Sequence, residues 1–357
     1  MLLDHYGLRE QPFGVTPNPR FLFLSPSHRE ALASLLYGIE SGRGFLALIA
    51  PPGMGKTTLL FQLLERMGGS ARTVFLFQTQ CGSREFMRSL MQDLGISAEG
   101  EDLVSLQARL NQLLIDELQA RRKFVLVVDE AQNLEDSALE YIRMLSNFET
   151  TRDKLMHIVL AGQPQLAEKL ARPSMVQLRQ RISMFVRLRP LAPAETAEYI
   201  EHRLRVAGYA GSPLFNSGAL SSIASLSGGI PRNINNICFN ALSLGYAGGR
   251  KTIDSAIIRE VAADLDLSCF MAQAAEMAQP AGLPDVSSGR LSARPGADGW
   301  AVMLDRILSP ARDPYLTAGA GDSAGTAARA AGSWTESSGW KEAVGTLANR
   351  LRDRIVH

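Results

Sequence analysis

The chain has 357 residues, enough for one large domain or two ordinary ones with a tail. Hydrophobic residues make up 46% and charged residues 20%, which excludes a wholly disordered or collagen-like chain. Lysine plus arginine number 37 against 36 aspartate plus glutamate, so a net charge of +1 lends little support to long-range attraction toward nucleic acid or an anionic membrane.

The N-terminal MLLDHYGLREQPFG carries an acid and an arginine but no long apolar run, so no signal peptide is expected. No run of about eighteen apolar residues follows, so no membrane-spanning helix is expected. The expected location is cytoplasmic, with peripheral attachment at the inner membrane through a partner left open. Residues 1–30 are rich in proline and aromatics (Pro12-Phe13, Pro17, Pro19, Phe21-Leu22-Phe23) and read as an ordered but irregular lead-in.

Residues 31–190 alternate short apolar runs with helical stretches. The candidate strands are Gly44–Ala50, Thr73–Gln78, Phe124–Asp129, His157–Ala161 and Met184–Leu188. Between them, Leu103, Leu106, Leu110, Leu113 and Leu114 recur at helical spacing on one face. Continuous apolar strands separated by helices predict an α/β fold, a five-stranded parallel sheet sandwiched by helices.

Residues 191–268 show only helical signals and predict a small all-α domain. Pro193 opens its first helix, Ser217–Leu226 forms a second, Pro231 starts a third and Ile253–Leu265 reads as a fourth. Residues 269–357 are rich in Ala, Gly and Ser with Pro280, Pro284, Pro295, Pro310 and Pro314, and read as a largely disordered tail. Two amphipathic islands interrupt it, around Trp300–Leu308 and Trp340–Ile355, each able to dock on a partner or on the body. Cys81, Cys238 and Cys269 are odd in number and far apart, which suggests neither disulfides nor zinc and fits a reducing compartment.

The chemistry sits at two strand ends. Ala50-Pro51-Pro52-Gly53-Met54-Gly55-Lys56-Thr57-Thr58 follows the first apolar strand and precedes a helix carrying Leu59, Leu60, Leu63 and Leu64, the strand, loop and helix context of a Walker A motif. Gly53 and Gly55 let successive N–H groups turn inward as an anion nest, and the helix N-terminus adds its positive dipole end. Lys56 can reach the β and γ phosphates, and the Thr57 hydroxyl can ligate Mg²⁺. Ala50 stands where the strict pattern has its first glycine. Phe124–Val128 is an apolar strand ending in Asp129 and Glu130, the Walker B counterpart. Asp129 is expected to hold Mg²⁺, and Glu130 to activate the attacking water. The pocket is expected where two adjacent strands of one sheet finish.

The Walker A loop, Asp129-Glu130-Ala131-Gln132, the strand end Gly162-Gln163 and Gly228-Gly229-Ile230-Pro231-Arg232 occur in an order that resembles AAA+ ATPases. More closely the chain resembles the ExeA/GspA-like secretion ATPases. That likeness includes Tyr6-Gly7-Leu8, Gln11-Pro12-Phe13, Thr16–Leu22, His28–Leu32 and Tyr37-Gly38-Ile39, and it covers about residues 1–265. It implies a P-loop AAA+ domain with a helical lid, ATP as the nucleotide, and a homo-oligomer.

The resemblance also implies residue roles. Gln163 would sit between the strands bearing the phosphate loop and the acids, and bond the γ-phosphate or lytic water. Arg181, with Arg179 second, falls where an arginine finger reaches a neighbour's γ-phosphate. Arg232 would return from the lid to the γ-phosphate. The lead-in would pack near the base, with Leu8, Pro12 and Phe13 in the adenine pocket or simply in the core.

The remaining signals read as structural. His5, His28, His157, His202 and His357 have no ligand-like spacing; Arg121-Arg122-Lys123 reads as a solvated helix end; Met87, Met91, Met144 and Met156 read as core. The expected function is Mg²⁺-dependent ATP hydrolysis that remodels or assembles a protein partner in secretion or envelope export. A DNA-dependent ATPase regulating transposition, of the TnsC kind, is the alternative, with DNA the less favoured partner. A nucleotide-gated scaffold is a third reading, against which Glu130 argues.

Overall fold

The computed structural model describes residues 1–77 and 81–265. The expectations for the tail, its two amphipathic islands and Cys269 lie outside the described residues. The elements in order are α1 (Leu2–Tyr6), α2 (Pro26–Glu40), β1 (Phe45–Ile49), α3 (Lys56–Met67), β2 (Ala71–Phe77), α4 (Ser83–Asp93), α5 (Leu103–Gln119), β3 (Lys123–Asp129), α6 (Asp136–Leu145), β4 (His157–Gly162), α7 (Pro164–Ala171), α8 (Val176–Arg181), β5 (Met184–Arg187), α9 (Pro193–Val206), α10 (Ser217–Ser227), α11 (Pro231–Ala247) and α12 (Ser255–Asp264). Short 3-10 turns occupy Pro19–Phe21, Ala131–Asn133 and Pro173–Met175.

The five strands form one sheet in the order β2-β3-β4-β1-β5, every pair parallel. β1 and β4 are buried along their whole length, which is why their sequences are continuous Leu, Ile, Val and Ala rather than alternating. The order separates β1 from β3. The motif spacing alone suggested that the loop strand and the acid strand were neighbours; β4 runs between them, as the family resemblance had implied for Gln163. Ligands of open parallel sheets bind beyond the carboxyl ends of the strands, where connections leave in opposite directions, and the two motifs end there.

Two cores hold the chain. One face of the sheet (Phe45, Ala47, Ile49, Leu126, Val128, Leu160) packs against α4 to α8 through residues such as Phe86, Leu110, Leu139 and Leu166. On the other face Gly38 of α2 lets the helix approach, since a Cβ there would lie 2.7 Å from the Leu46 side chain. The predicted face of α5 is buried at Leu106, Leu110 and Leu114, and Asp102 caps that helix through the Ser105 N–H at 2.7 Å. Met87, Met91 and Met156 are core, but Met144 is 46% exposed, because its position on α6 falls opposite the buried stripe Ala138, Leu139, Tyr141, Ile142 and Leu145.

The second core belongs to the helical segment after β5, and the lead-in is built into it. Tyr6, Leu8, Phe13 and Phe21 pack with Tyr199, Leu204, Phe215, Ile237 and Leu242. The Tyr6 hydroxyl donates to the Leu242 carbonyl at 3.1 Å. The lead-in aromatics therefore stabilise the lid domain, some 200 residues further along the chain, as much as they border the cleft. Lys123, the last of the basic cluster, donates to the Ile39 and Glu40 carbonyls at the end of α2 (2.9 and 2.8 Å), where a cation complements the helix dipole. Arg122 is paired with the buried Glu117. No helix among the described residues is long and apolar enough to cross a membrane.

His157 opens β4 at 3% exposure. Burial, aided by the charge of Lys123, lowers its pKa from 6.5 to about 4. The unfolded chain takes up a proton that the folded chain refuses. This contribution is therefore fully present above about pH 6.5 and drains away as pH falls toward 4. At about 1.4 kcal/mol per unit, roughly 3 kcal/mol is at stake. Urea titrations from pH 7 to 4 should show stability falling, and His157→Phe should flatten that slope by about one proton. Equal slopes in the two proteins would mean that His157 stays charged in the fold.

Candidate active site

The Gly53 and Gly55 backbones adopt φ of 81° and 82°, a left-handed conformation that side-chain-bearing residues resist. They turn the loop over the carboxyl end of β1 and deliver it into α3, whose first residue is Lys56. Met54 between them is fully buried, so its part in the loop is played by its backbone. Its carbonyl accepts a hydrogen bond from His28 Nε2 at 2.9 Å, while His28 Nδ1 accepts from the Ser25 hydroxyl at 2.8 Å. Both contacts suit the neutral imidazole carrying its proton on Nε2. Burial pushes the His28 pKa below its ordinary value, partly offset by the Met54 carbonyl.

Lys56 is 7% exposed, and its ammonium lies 2.8 Å from Glu130 Oε1 and 3.2 Å from Asp129 Oδ1. The Thr57 hydroxyl donates to Asp129 Oδ2 at 2.6 Å, and the Glu130 N–H donates to Asp129 Oδ1 at 2.9 Å. Asp129 is wholly buried. One ammonium serving two carboxylates leaves excess negative charge at the base of the cleft, beside a hydroxyl and carboxylate oxygens. A divalent cation of the hard, oxygen-loving kind fits that donor set, and Thr57 and Asp129 would hold it.

Glu130 stands in the left-handed region, φ 52°, and its carboxylate also receives the Gln163 side-chain amide at 3.0 Å and that of Gln132. Burial works to raise its pKa. The hydrogen bonds from Lys56, Gln132 and Gln163 together with the charge of Lys56 outweigh it, so the carboxyl sits below the usual range and is ionised at neutral pH.

These groups border a cavity of about 200 Å³. Its walls come from five places: the lead-in at Gly14–Asn18 and Phe21–Phe23, His28 of α2, the loop Pro51–Thr58, the strand ends at Glu130 and Gln163, and the lid at Leu191, Tyr199, Arg203, Pro231, Arg232 and Asn235. The lid touches the loop directly, since the Arg232 N–H, in the first turn of α11, donates to the Gly53 carbonyl at 3.1 Å. A Cβ on Gly53 would meet Arg232 Cβ at 2.7 Å. At the opposite wall Arg203 donates to the Tyr199 hydroxyl (2.8 Å), which donates to Asn235 Oδ1 (2.9 Å), and Asn235 in turn reaches the Gly14 carbonyl at 3.4 Å.

Pro52, Gly53, Met54, Gly55, Lys56, Thr57, Thr58, Glu130, Gln163 and Arg232 all line this cavity, and Asp129 lies directly beneath it. Arg181 and Arg179 do not; both are exposed in the last turn of α8, away from their own cleft. Phe13 departs from expectation. It is 2% exposed and packs edge-to-face on Phe215 at 6.1 Å, inside the lid core, while the cavity wall begins one residue later at Gly14. Leu8 is likewise core. Three cleft features carried no assigned role in the sequence: His28 with Ser25 beneath the loop, Gln132 beside Glu130, and the Arg203, Tyr199 and Asn235 chain. Gln132 had a signal, a carboxamide two residues after Glu130 in a conspicuous strand-end motif.

A family model described as an AAA domain matches residues 39–170. General secretion pathway protein A of Aeromonas hydrophila is 37% identical over 254 residues, covering 71% of this chain and 46% of that protein. An uncharacterized HTH-type transcriptional regulator of Methanocaldococcus jannaschii is 27% identical over 160 residues, 43% of this chain and 38% of its own length. The chain thus spans less than half the length of the curated relatives it matches. Among solved structures, Cdc6p from Pyrobaculum aerophilum superposes with a TM-score of 0.53 at 20% identity, covering 71% of this chain and 70% of that one. The Aeropyrum pernix ORC2 protein gives 0.54 at 16% identity over 84% and 89%. At these identities the structural likeness is one of fold.

Proposed function

We propose that the chain is an AAA+ ATPase of the general secretion pathway protein A group, which hydrolyses ATP with Mg²⁺ as a homo-oligomer and so remodels or assembles a protein partner in secretion or envelope export. One observation carries the reading: Lys56, Thr57, Asp129 and Glu130 meet within hydrogen-bond distance under one cavity that lead-in and lid both wall.

In this reading the loop N–H groups from Gly53 to Thr58 hold the phosphates, and Lys56 leaves Glu130 to bond the β and γ phosphates. Thr57 and Asp129 hold Mg²⁺, which when bound neutralises phosphate charge. Glu130, ionised and freed of Lys56, accepts the proton of the attacking water. Gln163 and Arg232 flank the γ-phosphate. The exposed Arg181, or Arg179, is offered to a neighbouring subunit's γ-phosphate, where it offsets charge growing in the transition state. The protein works in the cytoplasm, at the inner membrane when its partner holds it there.

A second reading rests on a run of arginines. Arg172, Arg179, Arg181, Arg187 and Arg189 are all exposed, and the stretch from 169 to 194 holds no acidic residue, which suits a phosphate backbone. One experiment addresses both readings. ATP turnover per subunit is followed against protein concentration, with and without Mg²⁺ and duplex DNA, in the wild type and in Arg181→Ala. The expected result is a Mg²⁺-dependent rate that rises with concentration, loses that rise in Arg181→Ala and ignores DNA. Strong stimulation by DNA moves the assignment to the second reading; no hydrolysis under any of these conditions removes both.

A further inference from the structure

We propose that Gln132 is a positioning residue for the lytic acid: its single carboxamide clamps Glu130 Oε2 at one end and the Gln163 N–H at the other, leaving Glu130 Oε1 as the oxygen that faces water. The inference rests on the reading above that Glu130 activates water. Gln132 sits in the 3-10 turn Ala131–Asn133, immediately after β3. Its Nε2 donates to Glu130 Oε2, and its Oε1 accepts the Gln163 N–H at 3.1 Å. The orientation of the amide is fixed chemically, because a carboxylate only accepts and a backbone N–H only donates.

The space for this clamp is built into β4. Gly162 ends that strand, and a Cβ added to it would fall 2.7 Å from Gln132 Oε1 and 2.7 Å from the Leu166 side chain. Gly162 is not in the left-handed region, so its backbone does not demand glycine; the room taken by Gln132 and Leu166 does. Glu130, by contrast, is held in the left-handed region despite its side chain, a conformation that persists only where surrounding contacts fix it.

The division of donors gives the clamp its consequence. Oε2 is held by two carboxamides, Gln132 and Gln163, whereas Oε1 is held by Lys56. When Lys56 turns to phosphate, only Oε1 is released, while the two amides keep the carboxylate plane in place. Asparagine at 132 is one methylene shorter and cannot span from Glu130 to the Gln163 N–H.

The test compares Gln132→Ala, Gln132→Asn, Gln132→Glu and, in parallel, Glu130→Gln, in the full chain. The readouts are kcat, KM for ATP and binding of a fluorescent ATP analogue. Gln132→Ala and Gln132→Asn are expected to lose about 10- to 100-fold in kcat with KM and analogue binding within about twofold. Gln132→Glu should lose at least as much kcat, because a carboxylate has no N–H to donate to Glu130 Oε2. If Glu130→Gln is inactive while Gln132→Ala and Gln132→Asn keep the wild-type kcat, the clamp is overturned and the role of Glu130 stands. If Glu130→Gln turns over normally, the role of Glu130 fails and the clamp falls with it. A variant that melts early is judged by kcat per nucleotide-binding site: a purely structural defect lowers binding and turnover together, whereas loss of the clamp lowers kcat alone.

Discussion

Glu130→Gln is expected to lower ATP turnover by about 10³-fold while the nucleotide still binds. The substitution keeps the shape of the side chain and removes its basicity. Lys56 keeps Asp129 as a partner at 3.2 Å, and Asp129 keeps the Thr57 hydroxyl, so the floor of the cleft retains its other contacts. One negative charge beneath a polyanion disappears, so triphosphate affinity should rise modestly rather than fall. Single-turnover hydrolysis and analogue titration separate the two quantities. Turnover within tenfold of wild type would remove Glu130 from the chemistry, and loss of binding instead of rate would make it a structural acid.

Gly229→Ala is expected to be the most damaging small substitution in the described body. Gly229 has φ 71°, and a Cβ there would lie 2.1 Å from the Leu191 carbonyl oxygen and 2.9 Å from the Leu191 nitrogen. The obstacle is backbone, so no side chain can swing aside. The Leu191 N–H also donates to the Gly229 carbonyl at 2.9 Å, so moving the two connecting segments apart breaks that bond. Left-handed strain of about 1–2 kcal/mol adds to an overpacking cost of about 1–3 kcal/mol, giving a loss of roughly 2–5 kcal/mol. For a body of this size that is a melting-temperature drop of about 5–20 °C. Gly42→Ala is the control: φ is 69°, but nothing lies within 4 Å, so only the strain remains. Equal melting shifts for the two would refute the clash. Because Leu191 leads from β5 into α9 and Gly229 leads from α10 into α11, the folded fraction of Gly229→Ala should also bind nucleotide more weakly.

The parts of this molecule that could be read beforehand are those whose physics is local. Strands such as Phe45–Ile49 and Phe124–Val128 are apolar on both faces because helices cover both, and the pattern survives in one dimension. The phosphate loop was legible because glycine, lysine and threonine spacing and the helix start are all contiguous. What escaped depends on meetings between distant residues. His28 finds the Met54 carbonyl 26 residues on, and Gln132 finds Gln163 after 31, with no spacing rule to announce either. Phe13 was misjudged by a single position: the sequence marks an aromatic lead-in, but whether Phe13 or Gly14 faces the cleft depends on the lid core that Phe215 completes. Met144 was misread for a related reason, an apolar residue on the side of α6 turned away from its buried stripe.

The bond from the Arg232 N–H to the Gly53 carbonyl makes the phosphate loop and the lid mechanically one piece at that point. Whatever grips the lid and favours one of its angles therefore bears on the loop, and by thermodynamic reciprocity nucleotide must change the strength of that grip by the same factor. A single backbone bond of about 0.5–1.5 kcal/mol sets the scale of this exchange at roughly two- to tenfold in either direction.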